Sequence, residues 1–236
     1  QPVPPDPILG LGQLYAADER DSKIDLGVGV FKDAGGNTPI MAAVKQAETV
    51  LHGMQTTKTY KGLGGDEGFR DAMRRMVLGD AVPADRVATI QTPGGTGAIR
   101  QLYEAIKKIN GEATLWLSDP TWPSHVGIAK HMGMKIRHYR YFDSASSNVD
   151  FAAMMEDLSE IGAQDVLMLH GCCHNPTGAN LDAGQWAAIT DLVLEKGAIP
   201  FIDIAYQGFG DGLDEDAANL RSMAARVPEM LIASSC

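Results

Sequence analysis

The 236 residues carry 20 Lys and Arg against 30 Asp and Glu, a formal charge of -10, with 44% hydrophobic and 21% charged residues. That is the composition of a globular chain able to bury a core, and the lack of any Lys/Arg run points away from nucleic acid and from acidic membrane surfaces. No stretch nears the roughly 18 uninterrupted apolar residues of a membrane span, and the opening QPVPPDP lacks the pattern of an export signal.

Helical spacing over 7–19 opens the chain, followed by an apolar run over 24–31 and a turn-rich stretch from Lys32 to Pro39. These first residues read as an arm packed on a partner or on a second domain. Short apolar runs of strand length then recur at 87–91, 114–118, 135–141, 166–170, 199–204 and 230–233. Two helices stand out between them. Phe151, Met154, Met155 and Leu158 fall on one face behind Asp150 as a cap. Asp182 and Gln185 have the spacing of a capping box ahead of Trp186, Ile189 and Val193, and Gly197 supplies a stop. One strand per helix implies an α/β fold with a mostly parallel sheet flanked by helices. Three cysteines, two of them the adjacent Cys172 and Cys173, make no disulfide framework, and Asn175-Pro176-Thr177 is a glycosylation triplet blocked by its proline. A reducing, cytoplasmic setting is expected.

In such sheets ligands bind beyond the carboxyl ends of the strands, so the polar residues after each apolar run carry the chemistry. Thr92-Pro93-Gly94-Gly95-Thr96-Gly97-Ala98 is either a tight glycine turn or a cradle where backbone N–H groups and a helix dipole hold a phosphate. It is not the dinucleotide fingerprint, because the third glycine position falls on Arg100. Trp122, between Pro120 and Pro123, is either a stacking platform or core. His170-Gly171-Cys172-Cys173-His174 crowds four metal-binding residues, two His and two Cys, but zinc sites join two separated knuckles and no second knuckle is present, so no metal is assigned. Asn175, just after it, offers an amide that donates and accepts. Asp203 sits inside an apolar run, where its charge must be matched by a metal, a base or a cationic cofactor unless it caps a neighbouring loop.

Taken together, these segments resemble the class I pyridoxal-phosphate aminotransferases, specifically the aspartate and aromatic amino acid group. The series runs from DPILGL at Asp6 and KIDLGVGVFKD at Lys23 through TKTYKGLGG at Thr57, TPGGTGA at Thr92 and SDPTWPSH at Ser118. It continues with HGCCHNPTGAN at His170 and FIDIAYQGFGDGL at Phe201 and ends at LIASSC. The resemblance implies the large domain of a fold-type I transferase over 39–236, with 1–38 as an N-terminal arm contacting the small domain and a dimer partner. It implies pyridoxal 5'-phosphate as cofactor. Asp203 would pair with the pyridine nitrogen, Tyr206 and Asn175 would bond the phenolic oxygen, and Trp122 would stack on the ring. Asp203, Tyr206 and Trp122 are thereby the catalytic set. Gly95, Thr96 and Ser235 would hold the phosphate, joined by Tyr60 from the neighbouring subunit of a homodimer. Gly29, with Trp122 and Asn175, would lie near the substrate. The reaction implied is amino transfer between aspartate or an aromatic amino acid and a 2-oxo acid such as 2-oxoglutarate.

In that family the lysine that carries the cofactor follows the Ser-Ser-Cys segment, within Ser-Lys-Asn-Phe-Gly. The 236 residues stop at Cys236, and none of their lysines sits in that motif. They therefore match the first three-fifths of a family member, and by themselves are expected to bind the cofactor without turnover. Two rival readings stay open on the sequence: a non-catalytic cofactor-binding fragment, and a nicotinamide-dependent oxidoreductase using the glycine turn.

Overall fold

The computed structural model describes residues 7–24 and 29–236. The chain divides into two compact units, residues 1–60 and 61–236. In the first, α1 (Pro7–Ala17) and α2 (Ala42–Met54) flank a turn in which Asp33 Oδ1 accepts the backbone N–H groups of Gly35 and Asn37. The expected strand over 24–31 falls partly on residues outside those described, and its described ends are not strand.

The second unit holds the sheet. After α3 (Glu67–Leu78) and α4 (Gly94–Ile109) come β1 (Thr114–Asp119), α5 (Pro123–His131), β2 (Lys135–Arg140) and the small hairpin β3 (Phe142–Asp143) with β4 (Asn148–Val149). Then follow α6 (Phe151–Leu158), β5 (Val166–His170), α7 (Ala183–Lys196), β6 (Ile199–Ile204), α8 (Glu215–Ala224) and β7 (Leu231–Ser234). The order β2-β1-β5-β6-β7 is parallel throughout, with Leu115 opposite Val166, His170 opposite Asp203 and Ile204 opposite Ser234. From β1 the chain steps outward to β2, then returns to add β5, β6 and β7 on the other side. The reversal opens a crevice at the carboxyl ends of β1 and β5, the place where open α/β sheets take ligands.

Strand alternation explains why both faces are covered. Leu115, Leu117, Met168 and Phe201 pack with Ile99, Tyr103 and Ala129 of α4 and α5 on one face. Trp116, Leu167, Leu169, Ile202 and Ile204 pack on the other with Met154, Leu158, Trp186, Ile189, Val193 and Leu220. Both predicted helix starts are present. Asp150 accepts from the Ala153 N–H at 3.0 Å, Asp182 and Gln185 close a reciprocal capping box, and Gly197 takes the left-handed conformation at φ 67°.

One predicted strand differs. Residues 87–91 form no ladder with any described strand. Gln91 instead pins a turn: its N–H donates to the Gly64 carbonyl at 2.9 Å and its Oε1 accepts from the Asp66 N–H at 2.8 Å. Gly65 in that turn has φ +87°, and a Cβ there would stand 2.4 Å from the Gln91 Cβ. An apolar run signals burial, but a ladder needs a neighbouring strand, which this segment lacks among the described residues.

Candidate active site

A cleft of about 290 Å³ opens at the carboxyl ends of the strands. Its lining is Gly95, Thr96 and Ile99 from the start of α4, Trp122 from the loop after β1, His170, Cys172 and Asn175 from and after the end of β5, and Asp203, Ala205 and Tyr206 from and after the end of β6. Ser235 closes it after β7.

One end is built for an anion. Helix α4 runs 16 residues, and no side chain caps its N-terminus. The Gly94 N–H turns back to the Thr92 carbonyl at 2.8 Å, no described side chain takes the N–H groups that follow it, and the aligned peptide dipoles place about half a positive charge there. Gly94 enters at φ +67°, and a Cβ on Gly95 would lie 3.5 Å from Ser235 Oγ, so the glycine keeps the cradle between helix and hydroxyl open. Beside it, the buried Ser234 Oγ finds no hydrogen-bond partner among the described residues.

The other end is a buried polar chain whose direction can be worked out from its one fixed donor. The Asn175 backbone N–H donates to His170 Nδ1 at 3.4 Å. That nitrogen is therefore the acceptor, and the proton of the neutral ring sits on Nε2. Nε2–H donates to Thr121 Oγ1 at 3.2 Å, which turns the threonine O–H toward His125 Nδ1 at 2.8 Å. His125 must then carry its proton on Nε2 and donate to Asp203 Oδ2 at 2.9 Å. His170 is neutral because burial, reinforced by the nearby His174 and His125, drives its pKa well below the usual imidazole value. His125 is completely buried and Asp203 is 9% exposed. The carboxylate is thus steadied by a donor from below, while Oδ1 makes no hydrogen bond among the described residues.

A second ring system braces the loop that carries Asn175. His174 bonds Ser118 Oγ at 3.0 Å through Nε2 and Thr177 Oγ1 at 2.9 Å through Nδ1. Its ring stacks on Tyr141 at 4.1 Å and 14°, and lies 4.1 Å from the His170 ring. Burial, with the neighbouring His125 adding to it, lowers its pKa to about 4. Above this floor, Asn175 Nδ2 donates to Tyr206 Oη at 3.4 Å. Trp122 meets the edge of His125 at 5.3 Å.

Of the residues expected from the sequence, Gly95, Thr96, Trp122, Asn175, Asp203, Tyr206 and Ser235 meet in this one cleft. Gly29 and Tyr60 belong to the first unit and are exposed. The sequence reading assigned nothing to Thr121 or His125 and treated His170 only as a rejected metal ligand. His170 is accessible to the strand-end rule, whereas Thr121 lies in the loop just before α5 and His125 in the first turn of that helix.

The sequence model of the family Aminotransferase class I and II matches residues 21–236. The chain is 52% identical to the aromatic-amino-acid aminotransferase of Paracoccus denitrificans, covering all of this chain and 60% of that protein. It is 43% identical to the aspartate aminotransferase of Escherichia coli K12, covering 99% of this chain and 60% of that one. Among solved structures, an aromatic amino acid aminotransferase with 3-indolebutyric acid superposes with a TM-score of 0.97 at 52% identity, over all of this chain and 60% of that one. An aromatic-amino-acid aminotransferase from Burkholderia pseudomallei, covalently bound to pyridoxal phosphate, superposes at 0.95 with 36% identity and the same coverage. The chain spans about 60% of the length of these relatives. With the parallel sheet, the uncapped helix and the buried carboxylate already in place, the match over 21–236 is decisive: the chain belongs to the class I and II aminotransferase family.

Proposed function

We propose that the protein containing this chain transfers an amino group between an amino acid, aspartate or aromatic, and a 2-oxo acid such as 2-oxoglutarate, using pyridoxal 5'-phosphate held in the cleft. The observation that carries this reading is the pairing, in one cleft, of an uncapped helix N-terminus beside Ser235 with a buried carboxylate oriented by His125. The donor set fits the group. A phosphate finds N–H donors and hydroxyls from Gly95, Thr96 and Ser235. A flat ring finds Trp122, a basic ring nitrogen finds Asp203, and a phenolic oxygen finds Tyr206 and Asn175.

When bound, the cofactor supplies an electron sink for the charge left as the substrate loses its α-proton. The protein's part is to keep that sink charged and oriented. Asp203 holds a proton at the ring nitrogen, and His125 and Thr121 keep the carboxylate from turning away. Tyr206 and Asn175 would hold the phenolic oxygen with hydrogen-bond donors. Trp122 covers one face and excludes water, and such stacking adds about 0.5–1.5 kcal/mol beyond burial. Tyr60 from a neighbouring subunit completes the phosphate site and Gly29 approaches the substrate in a homodimer, with 1–38 as the arm and 39–236 as the large domain. A cytoplasmic location accords with the cysteine pattern, and no helix among the described residues is long and apolar enough to cross a membrane.

The test is glutamate formation from 2-oxoglutarate by the full-length protein supplied with the cofactor, with aspartate, phenylalanine and tyrosine offered in turn. Saturable glutamate release with at least one donor is expected. Cofactor binding without glutamate from any donor would overturn the reading in favour of a non-catalytic binder.

A further inference from the structure

Cys172 is among the residues that line the cleft, and neither it nor Cys173 nor Asp216 is used in the reading above. Their ligand atoms, the two thiol sulfurs and one carboxylate oxygen, all stand within 4.8 Å of one another. The sequence alone set a metal aside for want of a second knuckle after Cys173. The fold provides the missing ligand from a distant element, since Asp216 opens α8, 43 positions beyond Cys173 in the sequence.

Three features make this more than proximity. Asp216 is 8% exposed, and its charge is already in place: the N–H groups of Gly208 and Gly210 bond Oδ2 at 2.7 and 3.0 Å, and that of Asp211 bonds Oδ1 at 2.8 Å. Burial works against that charge, but these backbone donors outweigh it and hold the carboxyl below its usual range. Oδ1 accepts only one of the three bonds and keeps a lone pair for a ligand. Second, both thiols are half-buried and electrostatically crowded. Burial pushes Cys172 up to about 12, with Cys173 and Asp216 adding to the effect, and Cys173 is raised by burial with Asp216 and Asp211 contributing. Burial, the larger cause, opposes a thiolate with or without a metal, whereas the neighbouring Asp216 and Asp211 carboxylates are charges that a cation among the sulfurs would attract. Third, tetrahedral ligands on a zinc–sulfur bond of about 2.3 Å stand about 3.8 Å apart and those on a larger soft cation somewhat further, so donors that all lie within 4.8 Å need only small side-chain rotations to meet on one ion.

We propose that Cys172, Cys173 and Asp216 form a binding site for a soft divalent cation of the Cd2+ class, with a fourth position left for water. As each sulfur–metal bond forms, its thiol proton passes to solvent, so two protons leave per ion and no electron changes hands. Affinity therefore rises with pH by up to about a hundredfold per unit while both free thiols remain protonated. Asp211 and Asp216 are the charged groups facing the thiols. The site is separate from the amino-transfer reading: its ligands bind whether or not the protein turns over.

The experiment is Cd2+ titration of the full-length, reduced protein, following the ultraviolet charge-transfer band of cadmium thiolates. Wild type should show one bound ion per chain in a component whose affinity climbs with pH. Cys173→Ser should weaken that component by more than about a hundredfold, since losing even an outer-shell partner costs about 10–100-fold. Cys236→Ser, an exposed thiol outside the cluster, should leave it unchanged. Cadmium NMR of the wild-type complex reports the donor set directly, so the role of Asp216 does not depend on a variant that loosens its loop. A component that survives Cys173→Ser, or a resonance showing sulfur ligation without oxygen, would overturn the proposal.

Discussion

Asp203 is placed to act only because three other side chains fix which way it faces. Its partner contacts span 78 positions to His125, and the chain continues through Thr121 to His170. Exchanging Asp203 for Asn keeps the shape and removes the charge that would hold a proton at the cofactor ring. Asp203→Asn in the full-length protein is expected to lower kcat by about 10²–10⁴-fold, the range for a lost proton-holding group. Trp122→Phe retains a ring and should cost about tenfold or less, as stacking is worth about 0.5–1.5 kcal/mol. Steady-state kinetics on both variants checks the pair, and equal losses would mean that one residue is misassigned. His174 answers to a different measurement. Its folded pKa of about 4 lies below the ordinary 6.5 of an unfolded histidine, so the unfolded chain binds a proton first as pH falls. Stability from this ring is complete above about pH 6.5 and is lost as pH drops toward 4, by up to about 3 kcal/mol. Urea midpoints taken across that window should fall steeply for wild type, and less steeply for His174→Gln. Parallel curves would show that the ring does not titrate as its burial requires.

Elements were legible in the sequence wherever the signal is local. The Asp150 cap, the Asp182–Gln185 box and the Gly197 stop are all written within a few residues, and each is present in the structure. Residues 87–91 failed as a strand because a ladder depends on a neighbour that no local pattern can name. The buried chain from His170 to Asp203 escaped for a related reason: its links join residues 49 and 78 positions apart, and only strand order brings them together. The glycine loop was left open between a turn and a phosphate cradle, and the uncapped N-terminus of α4 favours the cradle. A test follows at the same scale. Ser235→Ala removes one hydroxyl donor to a charged ligand, a bond worth about 1.5–3 kcal/mol. Its cofactor dissociation constant, measured by absorbance titration, should rise by about 10–100-fold while the sheet and its thermal midpoint hold. An unchanged constant would remove Ser235 from the phosphate site.

For the molecule as a whole, the alternation of strands and helices was sufficient to anticipate a parallel sheet, and the motif series placed its cleft. What composition could not reveal is how much apolar surface the chain leaves uncovered. Helix α2 buries none of its residues, yet Val44, Ala47, Leu51 and Met54 recur at helical spacing along one stripe, with Leu51 61% and Met54 73% exposed. Burying a leucine-sized side chain is worth about 1.5–3 kcal/mol, so such a stripe is a surface on which a second copy can gain by docking. Under the proposed homodimer this stripe is covered by a second copy, which also delivers Tyr60, fully exposed here, to the neighbouring phosphate site. Sedimentation of the full-length protein should therefore give a dimer, and a Leu51→Asp, Met54→Asp double variant should shift it toward monomer at micromolar concentration. Because the same copy supplies Tyr60, the monomer should also bind cofactor more weakly than wild type, although its own Asp203 and Ser235 are intact. A double variant that remains dimeric would place the interface elsewhere, and a monomer with undiminished cofactor affinity would separate Tyr60 from the site.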